Sequence, residues 1–552
     1  MIGKFDSLAG KWAAGARPRL FLLLLFLLMV ARGVVLLCVL PPLEGWDEYQ
    51  HVGYIDYVSR KGELPVMGRP GVPQPDYLAV EYMQAMAALP QSTFSLRQLE
   101  GTPVRDYAAW WAGRPGPGGN EWQVSTVVLY EAQHPPGYYM AMAGVYRLLG
   151  GSEHLVRAIF GLRAVNLVLM ALAVVGFGQA LRELCKGSSD WAWGAAAVAV
   201  HPLFLSTGVR VANDALALAA AAVVTLLLVR LMAAVGGERK WSWGLVVGMG
   251  VMMGVAAWTK TTTLGMLPLV VGAVMVAGKT KDERQKTKSG KRVGAVAIIV
   301  GIFGMLFLPY VVWNMRLVGT PVPMVEAVEN VRAGKTAWDL VAEAGRQDWA
   351  GLLRGWWTRQ ALWAGGWSYI QLPEWMTNVY EMLVAAGVAA AVIGVWFTKA
   401  AAVRRGMALG LAAWACCTLA MAVHSVQSGV ARGTSGTNAW YGATVWPLFL
   451  LVVMMGYGMV RPWRWGRWVG MGLLVFYFLV EMYGTLGQMP RVYGVTGDWW
   501  LGIRRMAELR PAVLGTWTLW SALAGRGWEW WREARASVQC PVSSVQKRAK
   551  PE

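Results

Sequence analysis

The sequence predicts an all-α, polytopic integral membrane protein with about twelve transmembrane helices and additional interfacial helices. Three observations lead there. Of its 552 residues, 56% are hydrophobic and only 15% charged, far from the composition of a soluble domain. Apolar runs long enough to cross about 30 Å of hydrocarbon recur along almost the whole chain. The net charge of +19 is spread over short basic clusters between those runs, as topology signals are, rather than along one face as nucleic-acid binding would require.

The first run, LFLLLLFLLMV, follows Lys4, Lys11, Arg17 and Arg19. No small-residue cleavage site follows it, and apolar residues resume after Arg32, so an uncleaved helix over 20–40 is expected. Further spans are expected over 160–181, 191–209, 215–233, 243–258, 263–278, 294–313, 379–397, 406–423, 443–460, 467–485 and 508–524. The basic run 279–292 (KTKDERQKTKSGKR), Arg404 with Arg405, and Arg461, Arg464 and Arg467 mark cytoplasmic loops. Both termini then lie in the cytoplasm. The apolar stretch 135–150 is read as a short interfacial helix, because a crossing there would place the 279–292 cluster outside. The five cysteines have no CxxC spacing and are read as packing residues.

Residues 1–525 thus form one transmembrane unit, and 526–552 a basic cytoplasmic tail. Two long loops face the outer side. One covers 41–134, with the amphipathic stretches YLAVEYMQAMAAL and DYAAWWAG. The other covers 314–376 and holds the Trp-rich RGWWTRQALWAGGWSYIQLPEW.

Four constellations could carry chemistry. In PPLEGWDEYQHVGY, a helix beginning near Trp46 would place Asp47, His51 and Tyr54 on one face, with Glu48 beside them. Paired carboxylates near a low dielectric can raise one pKa and make a general base; the plainer reading is an acidic first turn. In YEAQHPPGYY, His134 precedes two prolines that set the chain direction before a helix. In HPLFLSTGVRVAND, Arg210 and Asp214 stand at the outer end of a span, four residues apart, and either pair with one another or meet a ligand. In WTKTTTLGMLP, Lys260 lies between two spans, where it either snorkels or binds an anionic head group. Arg32 and Arg163 are cations within spans, and nothing local separates an anchor from a ligand.

These motifs, in this order, resemble the GT-C superfamily of membrane glycosyltransferases. The likeness is to the polyprenyl-phosphate-dependent branch with the protein O-mannosyltransferases and aminoarabinose transferases, and to poorly characterised bacterial membrane proteins. It is carried by Asp47–Glu48 after the first helix, HPPGYY, VAND and WTK, over about residues 20–380. In the last third, NAWYGATVWPLF stands where relatives often carry an Arg-Tyr pair, and the arginine is absent. The resemblance implies a GT-C-like fold in the bacterial cytoplasmic membrane, with the active site outside. It also implies transfer of a sugar from a polyprenyl-linked donor to a lipid, glycan or protein acceptor. Asp47, Glu48 and His51 are the expected catalytic group; His134, Arg210, Asp214 and Lys260 are expected to bind donor or acceptor. No cofactor is expected. Asp47, Glu48, His51 and Asp214 could surround a divalent cation, but a metal-free reaction is favoured. The main alternative is a transporter or flippase whose charges line a path; inverted repeats and charges near mid-membrane would mark it, and the sequence has no evident repeat.

Overall fold

The computed structural model describes residues 17–40, 43, 45–66, 129–186, 190–277, 285–362, 372–398, 401–459, 466–485 and 489, which are helical and without a β-strand. The leucine-rich first run forms α1 (Arg17–Val39). It buries Leu25, Leu28, Met29 and Leu36 and leaves Leu20, Leu23 and Leu27 exposed, as a helix does when one side packs on protein and the other meets lipid. The helix α2 (Glu48–Lys61) follows, and after residues 129–136 comes α3 (Gly137–Leu148). At 12 residues, α3 is about 18 Å long, too short to cross a bilayer. It packs against α2 through Tyr54, whose ring stacks on Tyr139 at 3.7 Å.

The bundle proper continues with α4 (Leu155–Leu184), α5 (Asp190–Val200), α6 (Pro202–Val209), α7 (Asp214–Val235), α8 (Trp243–Thr259), α9 (Met266–Val276) and α10 (Gln285–Val318). Three short amphipathic helices follow, α11 (Val325–Arg332), α12 (Ala337–Ala344) and α13 (Trp349–Trp357), and then α14 (Glu374–Phe397), α15 (Ala401–Arg432), α16 (Trp446–Met459) and α17 (Gly466–Tyr483). Among the described residues six helices are long and apolar enough to span a membrane, or seven with α5 and α6 taken together. Every span expected before residue 485 coincides with a helix or a helix pair. The last one, 508–524, lies outside the described residues, as do the tail, the two amphipathic stretches of the first loop and the segment 363–371 of the second.

The span expected over 191–209 is not one straight helix. It bends by 49° between α5 and α6, where Pro202 cannot donate a backbone hydrogen bond. The carbonyls freed at the end of α5 are taken by Arg32, whose guanidinium donates to Ala199 O at 2.5 Å and Val200 O at 2.9 Å. Its remaining edge pairs with Glu481 at 2.6 Å. Arg32 is therefore an architectural cation, completing a broken helix from inside the bundle.

Candidate functional site

The site is assembled at one end of the bundle, from the turn before α2, the turn before α3, the α6–α7 turn and the C-terminus of α8. Asp47 is the N-cap of α2, with a left-handed backbone (φ 54), a conformation costing about 1–2 kcal/mol outside glycine and tolerated best by Asp and Asn. This turn separates two carboxylates adjacent in sequence. The Asp47 carboxylate accepts a hydrogen bond from the Tyr130 hydroxyl.

Glu48 turns into the bundle. There it takes Arg163 Nε at 2.7 Å and Nη2 at 2.5 Å, together with the backbone N–H of Val211 at 2.8 Å. Both members of this ion pair are fully buried. Asp47 and Glu48 thus have different partners, the left-handed backbone at Asp47 sending the two side chains apart.

The carboxylate whose charge acts on Asp47 is Glu131, in the short 3-10 turn Tyr130–Gln133. Glu131 lies 2.9 Å from His134 Nε2 and 3.5 Å from His51 Nδ1. His51 Nδ1 also lies 2.8 Å from the Tyr139 hydroxyl, and the His51 and His134 rings stack 6.1 Å apart. Burial, and then the nearby Glu131 charge, raise the Asp47 carboxyl to about 6 despite the opposing pull of Tyr130, Arg210 and His134. Burial also pushes Glu131 upward, but His51, His134 and Lys260 outweigh it and hold the carboxyl at about 2. Burial drives His51 down to about 4. Two carboxyls in one neighbourhood are thus driven apart, one towards neutrality and one firmly ionised.

The third group is cationic. Asp214 starts α7 and lies 2.8 Å from Arg210 and 2.5 Å from Lys260. The expected pairing of Arg210 with Asp214 is present, and Lys260 joins it from α8. The turn is clamped by Asn166, which donates to Arg210 O at 2.7 Å and Ala212 O at 3.2 Å, while Asn213 donates to Thr259 O at 3.2 Å. Gly137 lets the start of α3 approach this point, since a Cβ there would stand 2.7 Å from Trp258 O. The segment NAWYG from beyond α15 closes over the cations. Arg210 lies 5.5 Å from the Trp440 ring centroid and Lys260 5.8 Å from that of Tyr441. Where relatives often carry an arginine, this chain offers aromatic faces to cations held elsewhere.

Among the described residues, two buried nitrogen atoms of the site, His134 Nδ1 and Arg210 Nε, have no hydrogen-bond partner. Arg210 also lines a small hollow of about 20 Å³ with Leu36, Leu40, Trp46, Leu203 and Trp440 and the polar Ser206, Thr207 and Gln360.

The structure brings Asp47, His51, His134, Arg210, Asp214 and Lys260 into one electrostatic neighbourhood, with Glu48 beside it engaged by Arg163 and the Val211 N–H. The four residues considered for a cation do not converge, because Asp214 is held by two cations and Glu48 by Arg163. Among the described residues no group of three His, Cys, Asp or Glu could hold a metal ion. Glu131, Tyr130 and Tyr139 were not singled out from the sequence, although Glu131 lies three residues before His134 in YEAQHPP, a helical spacing that joins them.

Residues 133–323 match the family model described as dolichyl-phosphate-mannose-protein mannosyltransferase. The matched segment holds His134, Arg210, Asp214 and Lys260, and it bears out the resemblance to GT-C glycosyltransferases. No curated protein matches the chain. Among solved structures, ArnT from Cupriavidus metallidurans bound to undecaprenyl phosphate is similar at 14% identity and a TM-score of 0.45, over 93% of this chain and 78% of that one. The Archaeoglobus fulgidus oligosaccharyltransferase in its apo form is similar at 10% identity and a TM-score of 0.44, over 88% of this chain and 57% of that one. The same archaeal protein tethered to an acceptor peptide gives 11% identity and a TM-score of 0.43, over 88% and 56%. The chain thus spans little more than half the length of the archaeal protein.

Proposed function

We propose that this chain, a membrane glycosyltransferase of the GT-C type, moves a sugar from a polyprenyl-phosphate carrier to an acceptor hydroxyl at the outer face of a bacterial cytoplasmic membrane. The observation that carries the reading is a juxtaposition. A carboxyl raised to about 6, Asp47, shares one site with the Arg210–Asp214–Lys260 cluster. In the reaction, the acceptor oxygen attacks the anomeric carbon and Asp47 takes the hydroxyl proton. The bond from that carbon to the carrier's phosphate oxygen breaks, and the phosphate leaves with the electron pair. Arg210 and Lys260, anchored on Asp214, stand ready to meet the negative charge that develops there.

Glu131 stays ionised, orients His51 and His134, and keeps the Asp47 pKa raised. His134, with one ring nitrogen unpartnered, is placed to meet donor or acceptor. Glu48 is assigned to architecture, through Arg163. Residues 1–525 act as one transmembrane unit with the loops 41–134 and 314–376 outside and the tail 526–552 in the cytoplasm. The reaction needs no metal in this reading, and transfer that persists after thorough chelation would agree with it. Loss of transfer restored by magnesium or manganese would contradict it. Transport is disfavoured because the unsatisfied polar atoms of Arg210 and His134 gather at one end of the bundle rather than along a path.

The experiment is to incubate membranes containing the protein with radiolabelled polyprenyl-phosphate sugars and follow label into lipid, glycan and protein fractions. Transfer above that of membranes lacking the protein is expected. Labelled carrier that is moved between leaflets but never cleaved would favour the flippase reading instead.

A further inference from the structure

A second cavity lies at the opposite end of the molecule. It has a volume of about 280 Å³, lies between the C-terminal turns of α4 and α7 and is lined by Gln179, Arg182, Glu183, Lys186 and Arg239, with Val229 and Ala233 as its apolar wall. The helix α7 runs from Asp214 in the site to Val235 beside this cavity, 22 residues or about 33 Å. That is one hydrocarbon thickness, so the cavity belongs to the other membrane face. At the same end Arg405, at the start of α15, pairs with Glu238.

Charge in the cavity is unbalanced. Glu183 is the lining carboxylate, and it is already engaged by Arg230 at 2.8 Å and Arg239 at 3.6 Å. Arg182 reaches Gln179 Oε1 only at 3.4 Å. Arg182, Lys186, Arg230 and Arg239 against Glu183 leave a surplus of positive charge around a hollow large enough for a phosphate. Exposed apolar residues continue the same helix faces away from the hollow. Val168 and Leu172 share the helical face of Gln179 and Glu183 on α4, and Val223 that of Arg230 on α7; all three apolar side chains are exposed. Between the stripes the helices close up, a Cβ on Gly176 standing 3.0 Å from that of Ala222. A groove that is cationic at the membrane surface and apolar below it has the chemistry of a lipid head-group site.

We propose that this cavity binds the phosphate of an anionic phospholipid in the leaflet opposite the site of transfer, its acyl chains lying along the Val168–Leu172 and Val223 stripes. The inference does not depend on the transfer reaction.

Native mass spectrometry of the purified full-length chain in detergent tests it, with phosphatidylglycerol and phosphatidylcholine of identical acyl chains as probes. Inorganic phosphate is added separately as the headless source of the same chemistry. Phosphatidylglycerol should be retained preferentially and should raise the melting temperature, whereas inorganic phosphate should do neither. The double variant Arg182→Gln/Lys186→Gln should weaken phosphatidylglycerol retention about thirtyfold, from roughly 1 kcal/mol for each basic residue near a lipid phosphate. Glu183→Gln should tighten retention, an outcome that misfolding would not produce. Equal retention of the two lipids, equal retention by all variants, or stabilisation by inorganic phosphate matching that by phosphatidylglycerol would overturn the proposal.

Discussion

The chain buries ionised side chains in two kinds of place, and the two are finished differently. Around Arg32 and Arg163 the hydrogen bonding is dense. Arg32 serves Glu481 and two carbonyls, and Glu48 takes two guanidinium nitrogens and a backbone N–H. Around Asp47, His134 and Arg210 it is incomplete, with a raised carboxyl, two buried nitrogens lacking partners among the described residues and a small adjoining hollow. The residue types are the same. A saturated network fixes helices against one another, whereas an unsaturated one keeps atoms for a ligand.

Variants should divide along that line. The largest effect is expected from Asp47→Asn, which removes the base and should lower the transfer rate about 10²–10⁴-fold while the melting temperature in detergent holds. Arg163→Met should do the reverse. It leaves Glu48 buried without its cation, at a cost of about 3–5 kcal/mol in stability, visible as lost thermal resistance and lost yield. Lys260→Met should slow transfer about a hundredfold, chiefly in kcat, because the charge it meets develops in the transition state.

Glu131→Gln should give the smallest and most diagnostic change. With Asp47 raised to about 6, kcat/KM of the native protein should fall as pH drops through about 6, where the base becomes protonated. The Glu131 charge is, after burial, the main cause of that rise. Its removal should therefore lower the Asp47 pKa and extend activity to more acid pH, read from the kcat/KM profile. An unmoved acid limb would detach Glu131 from Asp47.

The helices were legible in the sequence because apolar length and flanking charge act locally. The site was legible only where a motif carried its own geometry. Arg210 and Asp214 sit four residues apart across a turn, and HPPG fixes its chain direction, so both could be read. The fates of Asp47 and Glu48 could not, since a single left-handed residue decides them and Arg163, 115 residues away from Glu48, makes that turn worthwhile. Glu131 was hidden for a related reason. Its partner His134 is close in sequence, but its effect on Asp47 exists only once α2 and the 130–133 turn meet. The aromatic cover from Trp440 and Tyr441 comes from the region where the family resemblance is weakest, and only the fold brings it to Arg210 and Lys260. The bend at His201 and Pro202 lay in plain view in HPLFL, but the apolar run around it masked the break.

The central claim is that two carboxylates adjacent in the chain have separate tasks, Asp47 in the reaction and Glu48 in the framework. The most direct measurement is the initial rate of transfer from a radiolabelled polyprenyl-phosphate sugar, per folded molecule, for Asp47→Asn and Glu48→Gln side by side. The account predicts near-complete loss for Asp47→Asn, and a Glu48→Gln protein that is less stable but active in its folded fraction. Equal loss in folded Glu48→Gln, or native rates from Asp47→Asn, would contradict it.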